Sequence, residues 1–469
     1  MNNIAGISRW LAVAAVALIA VGCADSDKPG QAEQGKGNPF LHAAETVAAQ
    51  ITDTVARQTA LSAIAVNYAE LGAFSDAERV SNGLKTAEVQ TYLLAKIATE
   101  QSRKGHDSLA RVILASAASL DLSPLTPSTR AIRAGELAKA ALQLRDAAAA
   151  KRFLDDGRVS AVSITDPFFR TRAVSELAAI YAEAGFRDEA TAMLNDATKG
   201  IDGKEMPGSL ALGYISRAFG KIGKPAAALA TAAASPERRV QFDGLLNAAA
   251  SYAKLGNTDS ALILLNNATT LASNESEWHS RAPGWVAVAK GLAAIKQWKP
   301  AMEILKKLQT ESDSLAPAAR FDAAVGIAEC LVALRMNSQS DSAATQVIHF
   351  SGAVRDPEIL APFAATLTAT AEAYIDSSMI PPGIQLLNQA ATLAATSPAG
   401  PERESLIAQI SYDQARAGNF TGAIAAYQQL TQPRERALAL AAIGAEYAKA
   451  GRNPSAEELK VLEAINKQP

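Results

Sequence analysis

The stretch Ala65-Val66-Asn67-Tyr68-Ala69-Glu70-Leu71-Gly72-Ala73-Phe74-Ser75-Asp76-Ala77 decides how this chain is read. Before Gly72, apolar and small residues recur three and four positions apart, the spacing of one helical face. Gly72 permits the left-handed conformation that commonly ends a helix. A second apolar face starts directly after it. The unit is therefore a helix, a tight turn and a second helix.

The same skeleton returns ten more times, with turn residues at Gly105, Arg145, Gly185, Gly223, Gly256, Lys296, about Asn337, Ser378, Gly418 and Gly451. Successive turns lie 33 to 41 residues apart, the period of stacked helical hairpins. Seven positions before each turn stands a small residue, from Ala65 and Ala98 through Ala249 and Cys330 to Ser411 and Gly444. Five positions after it the residue is usually Ala, as at Ala77, Ala110, Ala301 and Ala456. Two helix backbones must approach closely there, and a larger side chain would overpack the contact by roughly 1–3 kcal/mol. Four before the turn come Tyr68, Tyr181, Phe219, Tyr252, Tyr374 and Tyr447, rings that can fill the space between neighbouring hairpins. Ser75, Asp188, Asp259 and Thr421, three positions after their turns, can cap or open the second helix.

This pattern resembles the tetratricopeptide repeat. Trp285, Val288, Ala289 and Leu292 fall at that family's spacing, as do Leu245, Ala248, Ala249 and Tyr252. The resemblance covers roughly residues 56 to 469, although most periods are nearer 40 than 34 and the closing proline is irregular. It implies an all-α fold, a right-handed α-solenoid of about eleven tetratricopeptide-like helical hairpins over residues 41–469, with Leu41 to Gln50 as a preliminary helix. No single hairpin can bury its own apolar face, so the units are expected to stack continuously.

Residues 1–22 read as a signal peptide. Arg9 precedes an apolar run from Leu11 to Val21, too short to span a membrane comfortably, and Ala20-Val21-Gly22-Cys23 follows. That ending resembles a bacterial lipobox, which implies that Cys23 is lipidated and becomes the mature N-terminus. Residues 23–40, rich in Asp, Ser, Lys, Pro, Gly and Gln, then form a flexible tether. The expected location is the bacterial cell envelope, as a membrane-anchored lipoprotein facing the periplasm, with the outer membrane favoured because Ala24 rather than Asp follows the cysteine. The only other cysteine is Cys330, so an acylated Cys23 leaves no intramolecular disulfide.

A formal net charge of −2 gives no basis for nucleic-acid binding. His42, His106, His279 and His349 stand apart from one another and from any cysteine at metal-ligand spacing. No phosphate loop, nucleophile elbow or His-Glu-x-x-His pair occurs. Glu404-Ser405 resembles a motif of lytic transglycosylases but sits inside a repeat, with no catalytic domain behind it. Trp278, Trp285 and Trp298 gather around the seventh repeat, where Trp285 and Trp298 occupy positions that want large packing residues. The chain is expected to have no enzymatic activity, no metal and no small-molecule cofactor.

The expected function is a lipid-anchored periplasmic scaffold or adaptor that binds protein or peptide partners in cell-envelope assembly. In the tetratricopeptide family the residue six before the turn points into the binding groove. Here Lys139, Arg217 and Lys290 recur at that position in alternate repeats, a candidate basic track for an acidic partner segment. The competing readings are a peptidoglycan enzyme or carbohydrate-handling protein of the cell wall, and a structural spacer without a specific ligand.

Overall fold

Alanine and leucine at helical spacing, interrupted every twenty residues or so by Pro, Gly, Asp or Ser, leave the backbone one regular option. In the computed structural model, which describes residues 37–466 apart from Lys85, Lys204, Val354 and Arg355, every regular element is a helix. There are 23 helices among the described residues, in a repeat-like arrangement. Cys23, the signal peptide and nearly all of the tether lie outside the described residues.

Two compact units divide the chain. The first, residues 1–165 with 436–469, holds α1 (Pro39–Ala49), α2 (Thr54–Leu71), α3 (Phe74–Asn82), α4 (Ala87–Arg103), α5 (Asp107–Ala118), α6 (Pro127–Gln143) and α7 (Ala147–Val162). Most of α22 (Pro433–Lys449) and all of α23 (Ala456–Asn466) belong to it as well. The second, residues 166–435, holds α8 (Pro167–Glu183), α9 (Arg187–Lys199), α10 (Met206–Lys221), α11 (Pro225–Ala233), α12 (Arg238–Lys254), α13 (Thr258–Ser273) and α14 (Trp278–Ala294). It continues with α15 (Trp298–Ser312), α16 (Pro317–Ala333), α17 (Asn337–Ser351), α18 (Pro357–Asp376), α19 (Ile380–Thr396), α20 (Pro401–Arg416) and α21 (Phe420–Tyr427).

The turns inside the hairpins share one geometry. The turn residue is left-handed, with φ between +55° at Arg335 and +94° at Gly185. The next residue donates its N–H back to the carbonyl five positions earlier, as in Ala73 to Tyr68, Asn257 to Tyr252 and Asn419 to Gln414, each 2.9 Å. These bonds satisfy carbonyls that a helix end would otherwise leave orphaned. The second helix begins immediately after the turn, so its cap is the residue one past the left-handed position. Asp146, Asn257 and Asn419 accept there from Ala149, Ser260 and Gly422 N–H. Of the two roles open to Ser75, Asp188, Asp259 and Thr421, they take the second: each lies in the first turn and opens the helix without capping it.

The eighth turn is centred on Arg335, two residues before the position expected from the sequence. Met336 N–H donates to Leu331 at 3.0 Å, the same bond as in the other turns. The register of that hairpin shifts with it: fully buried Ala328 takes the small-residue slot, and Glu329 takes the groove position expected for Leu331.

The small-residue seam is closed. Ala65, Ala98, Ala138, Ala178, Ala289, Ala371 and Ser411 are wholly inaccessible, and so are Ala77, Ala110, Ala150, Ala228, Ala261, Ala301 and Ala423 opposite them. Where serine replaces alanine, its hydroxyl ties the seam. Ser216 Oγ donates to the Ala228 carbonyl and Ser411 Oγ to the Ala423 carbonyl, both at 2.8 Å. Ala456 departs from the pattern and is exposed. The rings before the turns are buried at Tyr68, Tyr181, Phe219, Tyr374 and Tyr447, while Tyr252 is half-buried. Within unit 2, the first helices of successive hairpins lie side by side from α8 through α20. Within unit 1, α2, α4 and α6 do the same.

Proline explains where the first helices begin. Pro127, Pro167, Pro317, Pro357 and Pro401 each occupy the opening turn of a first helix, where the missing N–H costs nothing. Pro283 and Pro362 lie within α14 and α18, each inside the first two turns of its helix.

The preliminary helix α1 starts at Pro39, inside the stretch expected to be tether, with Asn38 capping Phe40 and Leu41 N–H. It packs on α2 and also on α23. Phe40 stacks on Tyr447 with ring centroids 4.8 Å apart, and Asn38 Nδ2 donates to the Gly444 carbonyl at 2.7 Å. Gly444 fills the small-residue slot of the last hairpin, and a Cβ there would stand 2.8 Å from the Phe40 Cβ. Glycine replaces alanine because α1 occupies the space a methyl would need.

Candidate functional site

Side-by-side first helices bring equivalent positions of neighbouring hairpins together, and much of the surface charge is settled this way. Lys290 of α14 pairs with Glu329 of α16, and Arg416 of α20 with Asp376 of α18. In unit 1, Lys96 of α4 reaches Glu136 of α6 at 3.5 Å.

The basic positions singled out in the sequence fall in both units. Lys139 lies in unit 1 on α6 and bonds Glu136 on its own helix at 3.2 Å. Lys290 and Arg217 lie in unit 2. Arg217, on α10, is exposed and stands with Arg239 beside Asp243 of α12. Burial pushes the Asp243 carboxyl up, and the two guanidinium charges pull it back down. Each of the three cations thus has a carboxylate neighbour.

Tyr214, three residues before Arg217 on α10, belongs to a feature the sequence reading missed. Phe168 meets Phe169 edge-on at 5.5 Å and Tyr214 of α10 at 5.6 Å. Phe169 remains 52% exposed and Leu210 44%, so the cluster is open to solvent rather than part of the core. Arg172, paired with Glu176 at 3.1 Å, lies on the same α8 face within electrostatic reach of Tyr214. The signal was available: Phe168, Phe169 and Arg172 precede Gly185 by steps that place them on the helix face of the groove position. Exposed aromatics beside arginines suit recognition of a partner chain, because aromatic and arginine side chains supply much of the contact at the centres of protein interfaces.

The other candidates are structural. Trp285 is buried, donates from Nε1 to Ser273 Oγ at 3.1 Å, and carries Lys307 Nζ 4.4 Å from its ring centroid. Trp298, expected to pack inside, is 47% exposed because it opens α15 on the outer side of its turn. Glu404 anchors a loop: its carboxylate accepts from Thr431 Oγ1 at 2.7 Å and from Thr431 and Gln432 N–H at 2.9 and 3.1 Å. Burial alone would raise its pKa, but those donors outweigh it and hold the group below the usual carboxylate range. Cys330 is inaccessible, its Sγ is 3.5 Å from the Val286 carbonyl, and burial pushes the thiol up to about 12. A thiol so placed supplies almost no nucleophilic thiolate at neutral pH. Among the described residues, no group of three or more His, Cys, Asp or Glu is placed to hold a metal ion, and no helix is long and apolar enough to cross a membrane.

Comparison with protein-family models gives no match, and comparison with curated proteins gives none either. Among solved structures, the chain is similar to Ton1535 from Thermococcus onnurineus NA1, at 15% identity and a TM-score of 0.31. The similarity covers 80% of this chain and 96% of that one.

Proposed function

We propose that this chain is a lipid-anchored scaffold or adaptor of the bacterial cell envelope, built as a right-handed tetratricopeptide-like solenoid of about eleven hairpins that bind a protein or peptide partner. The observation that carries the binding role is the open Phe168–Phe169–Tyr214 cluster, with Arg172 near Tyr214 and with Leu210 and Arg217 one helical turn from Tyr214 on α10. The solenoid reading is supported by the shared turn geometry and the closed small-residue seam. The lipid anchor at Cys23 and the periplasmic, outer-membrane location rest on the sequence.

Affinity capture from a membrane extract in mild detergent tests the binding role. A Phe169→Ala, Arg217→Glu variant that melts like the wild type should lose specific partners. Lys139→Glu and Lys290→Glu, on α6 and α14 rather than on the helices of the ring cluster, should change capture less. Unchanged capture by the Phe169/Arg217 variant sinks this surface as the binding site. Release of soluble fragments from peptidoglycan by the purified protein would favour the cell-wall enzyme instead. Lipid labelling that persists in Cys23→Ala would remove the anchor.

A further inference from the structure

Asp413 of α20 has no accessible surface, although it is an ionisable residue on the helix face that packs against α18. Its Oδ2 accepts from Gln409 Nε2 at 3.0 Å, and the same amide nitrogen donates to Glu372 Oε1 of α18 at 3.0 Å. One nitrogen therefore holds two carboxyl groups. Asp413 Oδ1 receives no donor from the described residues, yet the Asp413 carboxyl is within hydrogen-bonding reach of Glu372. Two acceptor oxygens at that separation repel each other unless a proton sits between them.

Among the described residues of α18 to α21, no cation is paired with Asp413 or Glu372. On α20, Arg416 is bound to Asp376 of α18, and Tyr412 carries no positive charge. On α19 and α21 there is no Asp, Glu, Lys, Arg or His, and Tyr427 closes α21. Gln414, next to Asp413 and 1% exposed, is taken up by Asn388 and Asn419 at 2.9 and 2.7 Å. On α16, which packs on α18, Glu329 is held by Lys290.

We propose that Asp413 and Glu372 share a single proton, and that this proton fastens α18 to α20 and makes their joint sensitive to pH. Ion pairs also join first helices of unit 2: Lys290–Glu329 links α14 to α16, and Arg416–Asp376 links α18 to α20 alongside the Asp413–Glu372 pair. The direction follows from burial. Desolvation, with the Glu372 charge adding to it, pushes Asp413 up from 3.8 to about 7 against the opposing Gln409 hydrogen bond. The folded carboxyl keeps its proton to higher pH than the unfolded one. Its contribution to stability is therefore full in acid and is lost as the pH rises from about 4 through about 7.

Hydrogen exchange on the full chain at pH 6 and pH 8, corrected for intrinsic rates, reads the joint directly. Protection of amides in α18 and α20 should fall about tenfold or more between the two pH values in the wild type. In Asp413→Asn the amide can donate to Glu372 at both pH values, so the fall should vanish. If that variant does not fold, Glu372→Gln offers a donor to ionised Asp413 and should shrink the fall. A wild type equally protected at both pH values overturns the proposal, as does an Asn or Gln variant with the full wild-type fall. Saturable recovery of protection at pH 8 on adding millimolar Ca²⁺ would also overturn it, making the pair a cation site.

Discussion

Asn38 and Gly444 lie 406 residues apart in the chain, and a hydrogen bond of 2.7 Å joins them. Around it, Phe40 stacks on Tyr447, and Lys449 reaches Glu70 at 3.1 Å. Helix α1 is therefore held from two sides within unit 1, by the hairpin that follows it and by the hairpin α22–α23. Gly444→Ala should destabilise unit 1 by roughly 1–3 kcal/mol, because the new methyl has nowhere to go. Gly400, with open space around its Cβ position and an extended φ of 168°, is the control. Gly400→Ala should stay within about 0.5 kcal/mol. Equal shifts of the two variants in a chemical melt would show that α1 does not press on Gly444.

The position of the eighth turn can be tested by glycine. Arg335 adopts φ +55°, which costs a side-chain-bearing residue roughly 1–2 kcal/mol relative to a relaxed conformation. Arg335→Gly should therefore stabilise the protein or leave it unchanged, the relieved strain set against the added freedom of the unfolded chain. Asn337→Gly opens α17 with a poor helix former and should lower stability by a few tenths to about 1 kcal/mol. The reverse order, read from denaturant midpoints, would put the turn at Asn337.

The seam offers a steric test. Ala178 is inaccessible and Ala249 is 2% exposed, so leucine at either position should cost roughly 1–3 kcal/mol. Lys254→Glu, on an exposed residue at the end of α12, should move the melting temperature little. Comparable losses from all three would mean that the helices are not in contact at these alanines.

Unit 1 carries its own acid dependence, opposite in sign to that of Asp413. Glu45 accepts from Tyr68 Oη at 2.7 Å and takes both Arg79 guanidinium nitrogens at 2.7 and 2.8 Å. Burial opposes the charge, but these partners outweigh it and hold the carboxyl below its ordinary value of 4.5. The stabilisation is present above about pH 4.5 and is lost as the pH falls through the lower folded value. Glu45→Gln should flatten the acid limb of the stability curve below pH 5 and lower stability at pH 7. A variant with an unchanged acid limb would remove Glu45 from acid unfolding.

Much of the fold is legible in the residues because the constraints are local. A left-handed turn wants glycine, and a close helix contact wants alanine, so Gly72, Ala65 and Ala77 announce one another at fixed spacing. Legibility failed where another residue could do the same work. Arg335 forms its turn without glycine while Asn337, two positions on, looks the better turn former. Trp298 read as core because size was taken for burial, when its place next to the turn leaves it outward. The Phe168 cluster was hidden because rings on a groove face and rings in a core share the same helical period. The pairing of Glu372 with Asp413 left no trace in the sequence, where both look like ordinary charged residues of an amphipathic helix. The joining of α1 to α22 was equally silent, since its one local mark is a glycine in place of an alanine.

The Asn38–Gly444 contact also sets an order of events during synthesis. Unit 2 is one continuous stretch, residues 166–435, and every helix it needs has been made before α22 is complete. Unit 1 is discontinuous: α1 is among its first described residues and its partners Gly444 and Tyr447 are near its last. At about 5–20 residues per second, α1 spends some tens of seconds or more without its C-terminal partners. Phe40, Leu41 and Val47, all buried in the finished fold, are the surface that a chaperone would find during that interval.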